Sequence, residues 1–234
     1  PEILKRNDVM GIAQTGTGKT AAFTLPMIDI LANGRAKALM PRTLILSPTR
    51  ELATQIAECF QKYGKYQKLS MALLIGGESM VEQQKILSRG VDVLIATPGR
   101  MLDLCERGRI LLRDVRVFVL DEADRMLDMG FIPDVEKIAS KLPAVRQTLL
   151  FSATMLPEIK ALAKKFMKFP VEIRVDPPMS TADTVEQFIV KTNERGKREV
   201  LRNLIRAEDV KNAMIFCNRK KDVEILLKSF TKHK

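Results

Sequence analysis

Residues 9–20 read VMGIAQTGTGKT, a short apolar run followed by a glycine-rich loop that ends in Lys19 and Thr20. The run Val9–Ala13 is expected to be a strand and roughly Lys19 to Leu31 a helix, so the loop is a strand-to-helix turn. A turn of this composition wraps nucleotide phosphates. Glycines leave backbone N–H groups free to point inward, the lysine reaches the β/γ-phosphates, and the threonine hydroxyl ligates Mg²⁺. The helix presents its positive dipole end to the same anion. The expected phosphate-binding residues are Ala13, Gln14, Thr15, Gly16, Thr17, Gly18, Lys19 and Thr20, with Thr20 also a Mg²⁺ ligand. Ala13 stands where the strict pattern has glycine, so the match is to a variant form. The bland reading is a Gly/Thr-rich turn without a ligand.

Outward from this loop, residues 121–124 read DEAD directly after the apolar run Val115–Leu120. Acidic residues at the carboxyl end of a buried strand are costly unless they meet a cation or hydrogen-bond donors. A strand ending beside a phosphate loop supplies that cation as nucleotide-bound Mg²⁺. Asp121 is expected to hold the metal through water, and Glu122 to orient or deprotonate the attacking water. With Lys19 they form the expected catalytic set. Alone, the string reads equally well as the acidic first turn of a helix.

Seven short apolar runs alternate with helical stretches over the first 175 residues: Val9–Ala13, Thr43–Ser47, Met71–Ile75, Val91–Ala96, Val115–Leu120, Thr148–Ser152 and Val171–Val175. Helical patterns such as Glu51–Tyr63, Val81–Leu87 and Glu158–Met167 lie between them. The alternation predicts an α/β fold, a parallel sheet covered by helices on both faces. Ligands then bind outside the carboxyl ends of the strands, where each motif falls. The stretch DPPMSTAD at 176–183 breaks the pattern and reads as a linker. Beyond it are expected a strand over Gln187–Thr192, a helix over Lys197–Arg206, a strand over Ala213–Cys217 and a helix over Asp222–Phe230.

Composition fits a soluble chain with a sizeable core: 46% of residues are hydrophobic. No apolar run approaches the ~20 residues of a membrane span, and residues 1–9 do not read as a signal peptide. Three scattered cysteines, Cys59, Cys105 and Cys217, show no metal-ligand spacing and fit a reducing, cytoplasmic setting. Cys59 and Cys105 read as helix residues, Cys217 as the end of a buried strand. The single histidine is His233, which excludes histidine catalysis and a histidine metal site. A net charge of +11 points to a polyanion. Residues 186–234 contribute +6 of it and the first 185 residues +5. Without Trp and with two Tyr, recognition by arrays of stacked bases is not expected, and backbone recognition is.

These motifs resemble those of the DEAD-box RNA helicases. DEAD at 121–124 is the family signature, and the other motifs appear in family order. They are AQTGTGKT at 13–20, PTRELA at 48–53, Gly76-Gly77, TPGR at 97–100, SAT at 152–154 and MIFCNRKKD at 214–222. The wording DEADRMLDMGF resembles bacterial, RhlE-like members. The resemblance implies a first RecA-like P-loop domain over 1–175, a linker over 176–185, and the beginning of a second RecA-like domain over 186–234. It implies ATP and Mg²⁺ as cofactors and RNA as partner, gripped by its sugar-phosphate backbone largely without sequence preference, by a monomer.

Pro48, Thr49, Arg50, Gly76, Gly77, Thr97, Pro98, Gly99 and Arg100 are the residues expected along the RNA. Hydroxyls, glycine amides and arginines at helix starts suit phosphate oxygens. Thr97 and Pro98 also read as the cap and first position of a helix. Glu51 is expected to hold its loop through a salt bridge with an arginine. Asp124, Ser152 and Thr154 are carried over from the family as the link between the acidic motif and RNA-dependent domain closure.

The family's adenine-reading glutamine would precede Pro1, and its γ-phosphate arginines would follow Lys234; neither lies within the 234 residues. The expected function is an ATP-dependent RNA helicase. The alternatives are a hydrolysis-deficient, nucleotide-dependent RNA-binding module and a DNA-directed P-loop motor; DEAD together with SAT argues against the motor.

Overall fold

A computed structural model describes residues 1–34, 39–175, 186, 188–194, 196–208 and 210–232. Seven parallel strands form the sheet: β1 (Val9–Ile12), β2 (Thr43–Leu46), β3 (Met71–Leu74), β4 (Val93–Ala96), β5 (Val117–Leu120), β6 (Gln147–Ser152) and β7 (Val171–Arg174). Their spatial order is β3-β4-β2-β5-β6-β1-β7. The strands β1, β2, β4, β5 and β6 are buried along their whole length. This explains their largely apolar spelling, broken only by buried Thr43 in β2 and Gln147, Thr148 and Ser152 in β6: a parallel strand covered on both faces has no polar side. The edge strands β3 and β7 are only partly covered.

Side chains alternate between two cores. Leu44, Leu46, Phe118 and Leu120 point into one, and Ile45, Val117, Val119 and Phe151 into the other. Helices α1 (Lys19–Leu31) and α2 (Arg50–Tyr63) cover the second face through Phe23, Met27, Ile56 and Phe60. On the first face lie α4 (Pro98–Glu106), α5 (Ala123–Asp128), α6 (Ile132–Ala139) and α7 (Pro157–Phe166), together with Leu87 of α3 (Met80–Ser88). All seven expected strands of this region are present, with ends displaced by at most two residues.

The lower ends of the strands are pinned by polar groups. Arg42 Nη1 pairs with Asp92 Oδ1 at 3.0 Å, both buried. Asp8 accepts the Thr148 and Lys168 amides, each at 2.7 Å. Such buried carboxylates are tolerable because each is satisfied by donors.

The chain divides into two units, 1–179 and 180–234; the division falls within the expected linker 176–185, and residues 176–185 lie outside the described ones. In the second unit, α8 (Lys197–Ala207) and α9 (Lys220–Lys232) match the expected helices. Arg202 of α8 donates to Ser229 Oγ of α9 at 2.7 Å. The expected strands Gln187–Thr192 and Ala213–Cys217 are a correction. Their described residues have no strand conformation, and Phe188, Ile189, Met214 and Phe216 are exposed. A parallel strand is stable only with a hydrogen-bonded neighbour and covered faces, and no described residue supplies either. Cys217 accordingly does not end a buried strand; it is half-buried.

Candidate nucleotide cleft and nucleic-acid face

The loop after β1 takes the conformation its glycines permit. Gly16 and Gly18 have φ of 86° and 90°. A Cβ at either position would meet nothing within 4 Å, so backbone conformation and not crowding selects glycine there. Gly18 caps α1 and directs its N-terminus into the loop. Lys19 is buried, and its Nζ donates to the Ala13 carbonyl at 2.8 Å while pairing with Glu122 Oε1 at 3.0 Å. Thr17 Oγ1 donates to the Gln14 carbonyl at 2.6 Å. Thr15, Gly16, Gly18, Lys19 and Thr20 line a cleft of ≈ 380 Å³, opposite Asp121 and Glu122.

Asp121 continues the β5 ladder by donating its amide to the Leu46 carbonyl at 3.0 Å. The residue is 4% exposed, and its Oδ1 has no hydrogen-bond partner among the described residues. Burial pushes this carboxyl up to about 7; the neighbouring Glu122 adds to the rise and Lys19 opposes it. An unsatisfied, desolvated carboxylate oxygen that lines the same cleft as Thr20 offers oxygen donors of the kind that suit Mg²⁺, a cation that otherwise keeps its waters and phosphate ligands. Glu122 has φ 53° and ψ 52°, a left-handed conformation uncommon for glutamate and seen where surrounding structure enforces it. From there its carboxylate reaches Lys19.

Asp124 is nearly buried and fully engaged. Its Oδ2 accepts from the Ala153 amide at 3.1 Å, the Thr154 amide at 2.9 Å and Thr154 Oγ1 at 3.1 Å, while Oδ1 accepts from the Arg125 amide. Ser152 ends β6, fully buried, and its Oγ accepts from the Thr154 amide at 3.4 Å. The loops after β5 and β6 are therefore tied through one carboxylate. Because β6 lies between β5 and β1, the DEAD, SAT and phosphate loops occupy three adjacent strand ends.

The remaining loops follow β3, β4 and β2, the other half of the same sheet edge. Gly77 has φ of 85°, and a Cβ on it would lie 2.5 Å from Arg50 Nη1. Gly76-Gly77 is thus a turn against which the Arg50 guanidinium packs. Pro48 is buried, and Thr49 caps α2 by accepting the Leu52 amide at 3.3 Å. Pro98 is the first residue of α4, with Gly99 exposed beside it. Arg100 Nη2 donates to the Glu78 carbonyl at 3.2 Å, and its Nη1 is buried without a partner among the described residues.

Two expectations fail here. Thr97 occupies the cap position, but its hydroxyl makes no cap bond. Pro98 removes only the first of the free donors at this helix start; a cap oxygen accepts from the second or third helical amide, and the Thr97 hydroxyl bonds neither. Glu51 forms no arginine salt bridge among the described residues. It is exposed, and its own backbone amide, followed by the Thr49 hydroxyl, holds its carboxyl below the usual range. Sequence reasoning also missed the Lys19–Glu122 pair and the α2 side of the cleft, where Gln55, Cys59 and Tyr63 line the wall. The i, i+4, i+8 spacing of these three on one helix face was the available signal.

Residues 1–162 match the family described as DEAD/DEAH box helicase. The chain is 39% identical over 226 residues to the DEAD-box ATP-dependent RNA helicase CshA of Streptococcus pneumoniae, covering 97% of this chain and 43% of that protein. It is 43% identical over 236 residues to the ATP-dependent RNA helicase RhlB of Pseudomonas aeruginosa, covering 98% of this chain and 59% of that one. The chain thus spans about half the length of the curated relatives it matches. Among solved structures it resembles the crystal structure of a DEAD box protein from the hyperthermophile Methanococcus jannaschii. That match has a TM-score of 0.69 and 36% identity, and covers 99% of this chain and 61% of the other.

Proposed function

The chain belongs to the DEAD/DEAH box helicase family, and on that footing we propose that it is the ATP-binding, RNA-engaging part of an ATP-dependent RNA helicase. The observation that carries this reading is the cleft in which Lys19, Thr20, Glu122 and the unpartnered Asp121 oxygen converge. Residues 13–20 wrap the triphosphate. Lys19 exchanges Glu122 for the β/γ-phosphate oxygens, a charge-assisted contact contributing ~1.5–3 kcal/mol. Released from Lys19, Glu122 accepts the proton of the attacking water. Thr20 and Asp121 would hold Mg²⁺, which would supply positive charge against the phosphate oxygens.

RNA lies across the β3, β4 and β2 loops. The Gly76-Gly77 amides, Thr49, Thr97 and the guanidinium groups of Arg50 and Arg100 meet phosphate and sugar oxygens, with α2 and α4 directing their N-termini to the same side. Nothing in that set reads a base, which supports sequence-independent binding. Asp124 carries the state of the cleft to the Ser152–Thr154 loop. Residues 186–234 are proposed as the opening of a second RecA-like domain. A cytoplasmic location accords with the three free cysteines and with the absence, among described residues, of a helix long and apolar enough to cross a membrane.

A nucleotide-dependent RNA clamp without turnover is not favoured, since relatives named ATP-dependent RNA helicases match almost the whole chain. Titration with a fluorescent Mg²⁺·ATP analogue tests the reading: Lys19→Ala is expected to weaken affinity by tenfold or more with an unchanged far-UV spectrum. Equal affinity would reduce the loop to a turn.

A further inference from the structure

All seven strands run parallel, so the segments entering them gather on one rim, opposite the cleft and the loops assigned to RNA above. That rim is charged very differently from the rest of the unit. Among described residues, the seven entering segments carry 13 Lys/Arg against 4 Asp/Glu, whereas the rest of residues 1–175 carries 11 against 15. Eleven of the thirteen cations are exposed, and none of the four acids is. Asp8 and Asp92 are buried and consumed by backbone amides, Ser70 and Arg42. Glu2 is taken by Lys5 and Asn7, and Asp114 is half-buried.

The exposed cations run the width of the sheet. Lys68 precedes the edge strand β3, Arg109, Arg113 and Arg116 precede central β5, and Arg6 and Lys168 precede β1 and the opposite edge strand β7. Seven strands at ~4.8 Å spacing give a stripe of roughly 29 Å, long enough to meet several successive phosphates of one nucleic-acid strand. Each end displays an aromatic ring. Tyr66 is 86% exposed with Lys65 Nζ 4.7 Å from its ring centre, and Phe169 is 100% exposed at φ 45°. A bulky residue held left-handed and fully in water is unusual, and exposed rings beside cations stack on unpaired bases.

We propose that this rim is a second RNA-binding surface, a phosphate-tracking stripe separate from the nucleotide-controlled face, which holds RNA flanking the strand under the helicase loops. The proposal rests on the RNA-helicase reading above. Spaced point charges bounded by aromatics fit a phosphate chain better than an acidic peptide, which would call for apolar pockets between the cations. The surface uses no residue of the cleft, so RNA binding here is independent of nucleotide.

The test is fluorescence anisotropy on an RNA with a single-stranded segment flanked by duplex, from 50 to 300 mM salt, with and without an ATP analogue. Wild type is compared with the combined variant Arg109→Gln, Arg113→Gln, Arg116→Gln and Lys168→Gln. The expected result is at least tenfold weaker binding at low salt and a shallower dependence of log K on log salt. Each lost phosphate contact removes ~0.7–0.9 from that slope, so a change of about three is expected. Nucleotide affinity, unchanged, verifies folding. Unaltered RNA affinity and slope in the variant would overturn the proposal, as would a defect seen with polyglutamate but not RNA. Failure of the helicase reading is distinguishable, because it would abolish ATP dependence while leaving the rim's slope effect in place.

Discussion

Replacing Asp121 with Asn should make the ligand-free protein more stable, relative to wild type, as pH rises towards and past neutrality. Burial raises this carboxyl from 3.8 to about 7. Between those values the folded chain keeps a proton that the unfolded chain has released. Stability therefore falls as pH rises through this window and levels off above it. At ~1.4 kcal/mol per pH unit, the wild type loses about 3 kcal/mol between pH 5 and pH 8. The asparagine variant has no such titration. Its amide, facing the same partner-poor environment, adds a pH-independent offset of ~1–3 kcal/mol, which cancels when two pH values are compared. Urea unfolding of both proteins at pH 5 and pH 8, followed by far-UV circular dichroism without Mg²⁺ or nucleotide, reads the effect. The variant's stability relative to wild type is expected to improve by about 3 kcal/mol from pH 5 to pH 8. A difference that stays constant, or moves the other way, would refute the assignment of Asp121 as a desolvated carboxylate awaiting a cation.

Asp124→Ala removes the acceptor shared by the Ala153 amide, the Thr154 amide and the Thr154 hydroxyl; thermal melts are expected to show a loss of ~3 kcal/mol, and an unshifted melting temperature would contradict the tie between these loops. Gly77→Ala places a Cβ against Arg50 at a left-handed φ, so RNA affinity is expected to drop about tenfold while nucleotide titrations stay unchanged; equal RNA affinity would remove Arg50 and Gly77 from the interface. Because Glu122 helps raise Asp121, Glu122→Gln is expected to lower the pH midpoint of the stability change described above, and an unmoved midpoint would count against that coupling.

The parallel sheet was legible because its central strands carry no polar side. TLIL, VLIA and VFVL can only be covered on both faces, and each is followed by a motif at its carboxyl end. The phosphate loop and DEAD were legible as short strings whose chemistry requires those residue types. What connects them was not. The Lys19–Glu122 pair joins residues 103 apart in sequence, and Asp124 joins the 153–154 amides, contacts that exist only once β5, β6 and β1 are neighbours. The second unit shows the converse. Its segments at 187–192 and 213–217 have strand-like spelling, but spelling gives a strand only a preference, and pairing has to come from elsewhere. Net charge concealed the basic rim. Summed over the first 185 residues it is only +5, because the cations before the strands and the acids beyond them alternate along the chain and separate only in three dimensions.

RNA-dependent ATP turnover, wild type beside Glu122→Gln, decides whether the cleft is an RNA-controlled ATPase with Glu122 as its base. With saturating single-stranded RNA of any sequence, wild-type steady-state hydrolysis is expected to rise about tenfold or more over the RNA-free rate. The Gln variant is expected to bind the nucleotide and turn over roughly a hundredfold more slowly or worse, since it cannot accept a proton from the attacking water. Hydrolysis indifferent to RNA would remove RNA control from the cleft, and hydrolysis undiminished in the Gln variant would remove Glu122 as the base.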